Sequence, residues 1–228
     1  MDQGSPNHRT HCIRCGECCL ASSPTLQLED VALIENGAID KCRLYTIRVG
    51  ELVRNPVLEK LTTTDKELIK IREKSHAGVC VYYDEETRAC SIYEHRPLQC
   101  AALACWDTTL FKEAYNTPKA GRKDIVRNGI LLGLMEAYDR RCSYGELEAC
   151  VKRIEGEGEK AIQEILKLLR YDYHFRPFIS KKMDITPEEM DFLFGRPLID
   201  TIHMFGLKVE KQGDGSFILT TLDTSDNK

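Results

Sequence analysis

The chain has 228 residues, 42% of them apolar, so it is long enough to bury a core near the upper size of one ordinary domain. Its 36 acidic and 32 basic side chains leave a net charge of -4, which gives no electrostatic footprint for nucleic acid. The longest apolar run falls well short of the roughly 20 residues of a transmembrane helix, and the polar N-terminus lacks a signal peptide's apolar stretch. We therefore expect a cytoplasmic protein with neither a membrane nor a nucleic-acid partner.

The first predicted element is a loop over residues 12–19, which lack both helical and strand periodicity. Gly16 allows the positive φ that a tight ligand loop often needs. The apolar spacing after Ser22 and Ser23 then predicts a short amphipathic helix that ends near Gly37.

The next segments predict strands. Residues 44–54 and 68–71 are strand candidates, and residues 79–93 predict a hairpin with a polar loop. This hairpin would place Cys80 and Cys90 close together.

Helices are predicted for most of the rest of the chain. Arg96-Pro97 precedes a short helix that carries Cys100 and Cys105 on nearby faces. Periodicity predicts further helices over 125–138, 145–170, 187–194 and 197–205, followed by a hairpin over 207–222. The fold class is α+β: a small cysteine-rich domain over residues 1–145 with short hairpins and helices, then a mainly helical C-terminal part over 146–228 that ends in a hairpin.

The chain contains eleven cysteines, an odd number. In a reducing compartment, dense cysteine usually indicates metal ligation or redox chemistry rather than a disulfide framework. Cys12, Cys15 and Cys18 have the two-residue gaps with which neighbouring thiolates reach one zinc ion or iron-sulfur cluster. The Cys-Pro that completes a bacterial ferredoxin run is missing, so a fourth ligand must come from a distant segment.

Eight cysteines together are enough for two four-thiolate centres, although their pairing stays open. Neighbouring side chains diverge along an extended backbone, so Cys18 and Cys19 indicate either two sites or a shared one. Cys42, Cys142 and Cys150 are isolated and are interpreted as small buried apolar residues. The predicted metal ligands are Cys12, Cys15, Cys18, Cys19, Cys80, Cys90, Cys100 and Cys105.

Two stretches resemble the YkgJ-type cysteine-cluster family, also called the CxxCxxCC family of zinc- or iron-chelating domains. They are Cys12-x2-Cys15-Gly-Glu-Cys18-Cys19 and Cys90-Ser-Ile-Tyr-Glu-His-Arg-Pro-Leu-Gln-Cys100, with Cys80 between them. The resemblance spans roughly residues 10 to 110 and implies a metal-binding domain. The family is also related to flagellin lysine N-methylases, which implies a metal-dependent protein lysine N-methylase as one alternative.

Two arginines are predicted beside the metal centre. Four thiolates around zinc or an oxidised four-iron cluster leave a net negative charge, which Arg14 and Arg96 could offset. The alternative is that Arg96 pairs with a surface carboxylate and Pro97 merely begins a helix.

Three functions follow from these patterns. The first is an iron-sulfur protein of redox or accessory function, with a 4Fe-4S cluster favoured and Cys12, Cys15, Cys18 and Cys100 among its ligands. The second is a zinc-stabilised interaction module, and the third is the methylase-like enzyme. A protein or redox partner fits the first two, and no catalytic residue is predicted.

Overall fold

The computed structural model describes residues 11–55, 60–74, 78–213 and 215–222. About half of the chain is helical and the strands form short antiparallel pairs, which confirms the α+β prediction. In chain order, the helices are α1 (Glu17–Ala21), α2 (Val31–Glu35), α3 (Leu98–Ala102), α4 (Thr109–Asn116), α5 (Arg122–Ile125), α6 (Gly129–Arg141), α7 (Tyr144–Lys152), α8 (Ile154–Glu157), α9 (Glu159–Met183), α10 (Met190–Phe194) and α11 (Leu198–Thr201). The strands are β1 (Leu44–Ile47), β2 (Leu52–Asn55), β3 (Lys60–Thr63), β4 (Leu68–Ile71), β5 (Tyr83–Asp84), β6 (Ala89–Cys90), β7 (Leu207–Lys211) and β8 (Phe217–Thr221).

The chain divides into two compact units. The first comprises the described residues of Met1–Arg43 and Ile69–Ile125, and the second those of Leu44–Leu68 and Val126–Lys228. Compactness does not test which part folds alone, so the predicted domain boundary at residue 145 stays a prediction. None of the described helices is long and apolar enough to cross a membrane.

The core of the first unit forms around the segment that precedes α2. Leu26 is fully buried; its amide donates to the Ile69 carbonyl at 2.8 Å, and its own carbonyl accepts from the Ala120 amide at 3.1 Å. These two hydrogen bonds join segments that are distant in sequence to one buried residue, because buried backbone groups must find partners. The helix predicted here is present as α2, preceded by a 3-10 turn over Leu28–Asp30.

The second half of the predicted cysteine loop is helical. Gly16 has φ 78, and its carbonyl accepts from the Cys19 amide at 2.8 Å and the Leu20 amide at 3.0 Å, which opens α1. Glu17 adds an acidic side chain to the first turn, where the helix dipole favours it. Cys18 and Cys19 therefore lie on a helix and not in the predicted loop. The helix follows from these local hydrogen bonds, which apolar periodicity does not reveal.

The second unit is built around α9. The helix predicted over 145–170 is divided into α7, α8 and α9, with Gly158 at φ 53 between the last two. Apolar residues of α9 such as Ile165 and Leu169 are fully buried at helical spacing. The predicted C-terminal hairpin is confirmed as β7 paired antiparallel with β8.

A buried carboxylate joins several elements of the second unit. Asp172 on α9 is fully buried, and it accepts from the Tyr138 hydroxyl at 2.5 Å and the Leu198 amide at 2.6 Å. It also forms an ion pair with Arg176, whose Nε lies 2.6 Å from Oδ1. Each partner satisfies the buried charge, which would otherwise carry a large desolvation penalty.

Candidate metal centre

Five thiols from four segments of the first unit interact with one another. Interactions with the thiols of Cys18 and Cys90 raise the pKa of Cys19, and burial together with the charges of Cys80, Cys18 and Cys90 raises the pKa of Cys100. We name these five residues the inner thiols: Cys18 and Cys19 on α1, Cys80 before β5, Cys90 on β6, and Cys100 on α3.

Main-chain hydrogen bonds bring three of the segments together. The Cys80 amide donates to the Cys19 carbonyl at 2.8 Å, and the Tyr83 amide donates to the Cys80 carbonyl at 2.9 Å. Tyr83 is in turn the register partner of Cys90 in the β5–β6 pair. The predicted hairpin is thus present in shorter form, and the thiols of Cys80 and Cys90 lie close enough to repel each other as anions.

Gly16 lets the N-terminal segment lie directly on this hairpin. A Cβ built on Gly16 would be 2.5 Å from Cε2 of Tyr83, a contact that no side chain could make without a shift. Tyr83 is 5% exposed and belongs to the core, so it has little room to move. The glycine is therefore required by close approach as well as by its positive φ.

Two buried polar residues, Asp30 outside the cysteine motifs and Gln99 within the second, position α3, the helix that carries Cys100. Asp30 is buried, and its carboxylate accepts from the Leu98 amide at 2.8 Å and the Gln27 amide at 2.7 Å. Gln99 accepts from the Thr25 amide at 3.1 Å. The only hint of these roles in the sequence is Asp30 beside a helix start, since the partners are far apart along the chain.

Hydrogen bonding makes two of the inner thiols acidic. The pKa of Cys18 and that of Cys90 are each lowered to about 6, chiefly by the interaction with the Cys19 thiol and in part by the Arg96 charge. The same interactions raise the pKa of Cys19 far above its ordinary value. A proton on Cys19 is therefore shared with two sulfur atoms that carry thiolate character near neutral pH.

The remaining inner thiols are protonated for a different reason. Burial raises the pKa of Cys100 and of Cys80, and neighbouring thiols raise both further because a second negative charge would be repelled. Arg96 acts in the opposite direction on Cys100. The site thus holds more sulfur atoms than it can ionise at once, and a bound cation would allow further thiols to lose their protons.

Arg96 and Arg14 stack on one aromatic ring beside the thiols. The Cζ atoms of Arg96 and Arg14 lie 3.6 Å and 3.8 Å from the centroid of Tyr93, within cation–π range. Two planar guanidinium groups cannot share one face at these distances, so they occupy opposite faces. Arg14 also pairs with Glu94 at 3.4 Å. Tyr93 is thus a platform for both predicted cations, a role that the sequence analysis missed.

The other predicted ligands lie outside the inner thiols. Cys12 and Cys15 are exposed in the irregular segment before α1. Cys105 is also exposed and lies in the turn after α3 rather than on that helix. Of the isolated cysteines, Cys142 and Cys150 are buried, as predicted, whereas Cys42 is half-buried.

Within the part of the chain that the structure describes, no group of three or more His, Cys, Asp or Glu side chains could hold a metal ion as arranged. The Cys19 thiol, whose pKa is raised, is protonated at neutral pH, whereas a metal binds the thiolate. Ligation therefore requires loss of that proton and rotation of the thiols. The contacts among the thiols, rather than a finished geometry, identify the site.

The chemistry of the donor set fits a thiophilic metal. Soft thiolates select zinc and iron-sulfur clusters over hard cations such as magnesium and calcium. Nε of Arg96 is buried and has no hydrogen-bond partner among the described residues. A thiolate sulfur bound to a cation is an acceptor of the kind that this N–H lacks.

Comparison with known proteins gives one match. Residues 11–120 match the model of the CxxCxxCC family, described as "Putative zinc- or iron-chelating domain". The match contains all eight cysteines of the predicted ligand set and both arginines, and it confirms the resemblance found in the sequence. No curated protein and no solved structure matches the chain.

Proposed function

We propose that residues 11–120, which match the model of the CxxCxxCC family of zinc- or iron-chelating domains, hold one metal centre through the inner thiols. The observation that supports this proposal is that thiols from four separate segments lie close enough to shift one another's pKa values. An isolated cysteine is commonly just a small apolar residue, but core packing alone gives no reason for five cysteines to meet. Four of the five would complete a tetrahedral site.

The contacts between thiols support a single ion more strongly than a cluster. A tetrahedral zinc ion with Zn–S bonds of about 2.3 Å brings its sulfur ligands to about 3.8 Å from one another. The direct interactions of the Cys19 thiol with those of Cys18 and Cys90 are compatible with one shared ion. In a four-iron cluster, each thiolate binds a different iron and the ligands stand farther apart. Zinc, or one iron ion in its place, is therefore the first candidate.

Arg96 would offset the charge of the loaded site. Four thiolates around a divalent ion leave a net negative charge, and Arg96 already interacts favourably with Cys18, Cys90 and Cys100. Its N–H groups are donors for thiolate sulfur, and stacking on Tyr93 fixes the guanidinium. The predicted role of Arg96 is thus supported by its surroundings. No inner thiol has Arg14 among the main causes of its pKa shift, so Arg14 is a weaker candidate for this role.

An iron-sulfur cluster is the second candidate. The two-residue gaps of Cys12, Cys15 and Cys18 favour it, and Cys100 would supply the distant ligand. Such a cluster would supply electron transfer and would require a redox partner. A zinc centre would instead supply structure, because zinc has no redox chemistry and its binding free energy stabilises the fold. The protein would then present a metal-stabilised surface to a partner.

Anaerobic purification followed by analysis of metal, acid-labile sulfide and visible absorption tests these proposals together. Colourless protein with one zinc per chain is the expected result. Brown protein that contains iron and sulfide would favour the iron-sulfur cluster over zinc. Protein that contains neither metal, even after addition of zinc or iron, would refute metal binding. The methylase alternative rests on the family relation alone, and failure of the holo-protein to bind radiolabelled S-adenosylmethionine would remove it.

A further inference from the structure

The cysteines of the first unit differ in how easily solvent reaches them. Cys12 and Cys15, the outer pair, are exposed, as is Cys18, whereas Cys19 and Cys90 are half-buried and Cys80 is buried. An ion that approaches from solvent therefore meets the outer pair before it meets most of the inner thiols. The two-residue gap between Cys12 and Cys15 also lets both sulfurs hold one ion.

The outer pair is docked next to the inner thiols by Arg14, one of the two residues between its members. Cζ of Arg14 lies 3.8 Å from the centroid of Tyr93, which is three residues beyond Cys90, and the Arg14 side chain also pairs with Glu94 at 3.4 Å. Both contacts are partly exposed, so together they favour the docked position by only roughly tenfold. The segment is held in place, but it can still move.

The distance from the outer pair to the inner thiols is short. Cys15 and Cys18 are three residues apart, so their Cα atoms cannot be separated by more than about 11 Å. The thiol of Cys18 in turn interacts with that of Cys19, which interacts with that of Cys90. The backbone between Cys15 and Cys18 is therefore short enough for an ion to pass from an exposed thiol to half-buried ones.

We infer that Cys12 and Cys15 are capture ligands that take a divalent thiophilic cation from solvent and pass it to the inner thiols by ligand exchange. This inference rests on the proposed metal site. Sulfur–metal bonds to Cys12 and Cys15 break as bonds to Cys19 and Cys90 form, and the ion keeps its double positive charge. The incoming Cys19 thiol releases its proton to solvent, Cys90 binds as the thiolate that it already is, and the departing thiolates take up protons from solvent.

Zinc uptake by the full-length chain tests the inference. Stopped-flow absorbance follows transfer of zinc from its complex with 4-(2-pyridylazo)resorcinol, and competition with a chelator gives the equilibrium affinity. The Cys12→Ser/Cys15→Ser double variant is expected to retain one zinc with nearly unchanged affinity but to take it up roughly tenfold more slowly, because the remaining ligands are mostly half-buried or buried. The Cys19→Ser/Cys90→Ser double variant is expected to lose zinc at equilibrium.

A second pair of variants tests the docking contact without touching a thiol. Arg14→Ala is expected to slow zinc uptake severalfold while leaving the affinity unchanged. Ile13→Ala is the matched control, because Ile13 lies in the same segment and is 53% exposed, and it should take up zinc at the wild-type rate.

Two results would overturn the capture role. Loss of zinc at equilibrium from the Cys12→Ser/Cys15→Ser variant would make the outer pair resident ligands, and wild-type uptake rates in that variant would leave them no part in capture. Failure of the wild-type chain to retain zinc would instead refute the proposed metal site itself, so the two failures are distinguishable.

Discussion

Two glycines with the same backbone conformation provide a test of the contact beneath the metal centre. Gly16 has φ 78 and Gly37 has φ 79, and both lie in the first unit. A Cβ at Gly16 would be 2.5 Å from Cε2 of Tyr83, whereas a Cβ at Gly37 meets no atom within 4 Å. Substitution by alanine therefore strains the backbone equally at both positions and adds a clash at only one.

The structure gives the size of each effect. Alanine in the left-handed region destabilises a protein by about 1 kcal/mol relative to glycine. Overpacking against a buried side chain such as Tyr83 adds about 1–3 kcal/mol. Gly37→Ala should thus lower the free energy of unfolding by about 1 kcal/mol, and Gly16→Ala by about 2–4 kcal/mol.

Urea unfolding followed by tryptophan fluorescence measures the difference, because the single tryptophan, Trp106, lies in the first unit. In a Tyr83→Leu background, which lacks the clashing atom, Gly16→Ala should lower the free energy of unfolding by only as much as Gly37→Ala does. Equal destabilisation by the two glycine variants in the wild-type background would refute the Tyr83 contact. Since Tyr83 pairs with Cys90, Gly16→Ala should also weaken zinc binding, whereas Gly37→Ala should not.

Three further predictions concern the inner thiols and the second unit. Cys100→Ser should lose metal measured after gel filtration with a chelator, whereas Cys142→Ser, in the second unit, should keep the wild-type metal content; equal loss in both would contradict the ligand assignment. With metal removed, alkylation of Cys18 should decline as the pH falls through about 6, because its thiolate is protonated there, and Cys19→Ala should shift this transition upward in mass-spectrometric pH profiles; an unchanged transition would exclude the hydrogen bond. Asp172→Ala should destabilise the second unit by about 3–5 kcal/mol in calorimetry, since Arg176 loses its buried partner; a loss under about 1 kcal/mol would contradict the network.

The sequence predicts best where one chemical type repeats at short spacing. The cysteine gaps identified the family, and the hairpin around Cys80 and Cys90 was evident from alternating β-formers bounded by a polar loop. Which of the eight predicted cysteine ligands lie together could not be predicted in this way. Cys105 lies five residues from Cys100, but α3 ends at Ala102, so Cys105 lies beyond the helix that was expected to carry both.

The residues that position the site escaped prediction because their partners are distant along the chain. Asp30 and Leu98 are 68 residues apart, yet their hydrogen bond fixes the first turn of the helix that carries Cys100. Tyr93 is the ring on which the guanidinium groups of Arg14 and Arg96 stack. Neither contact leaves a periodic pattern, so only tertiary structure reveals it.

The non-cysteine residues of the two motifs have a common physical explanation. A metal can draw thiols together only if the backbone already brings them within reach, because ordering four free segments would consume much of the binding free energy. Gly16 lets the first motif lie on Tyr83, Tyr93 holds Arg14 from that motif, and Arg96 of the second motif faces the thiols of both. The arginine and tyrosine of the second motif therefore act on the first. For this reason we expect changes at Tyr93 to affect metal binding more than changes at an equally exposed aromatic residue elsewhere in the first unit.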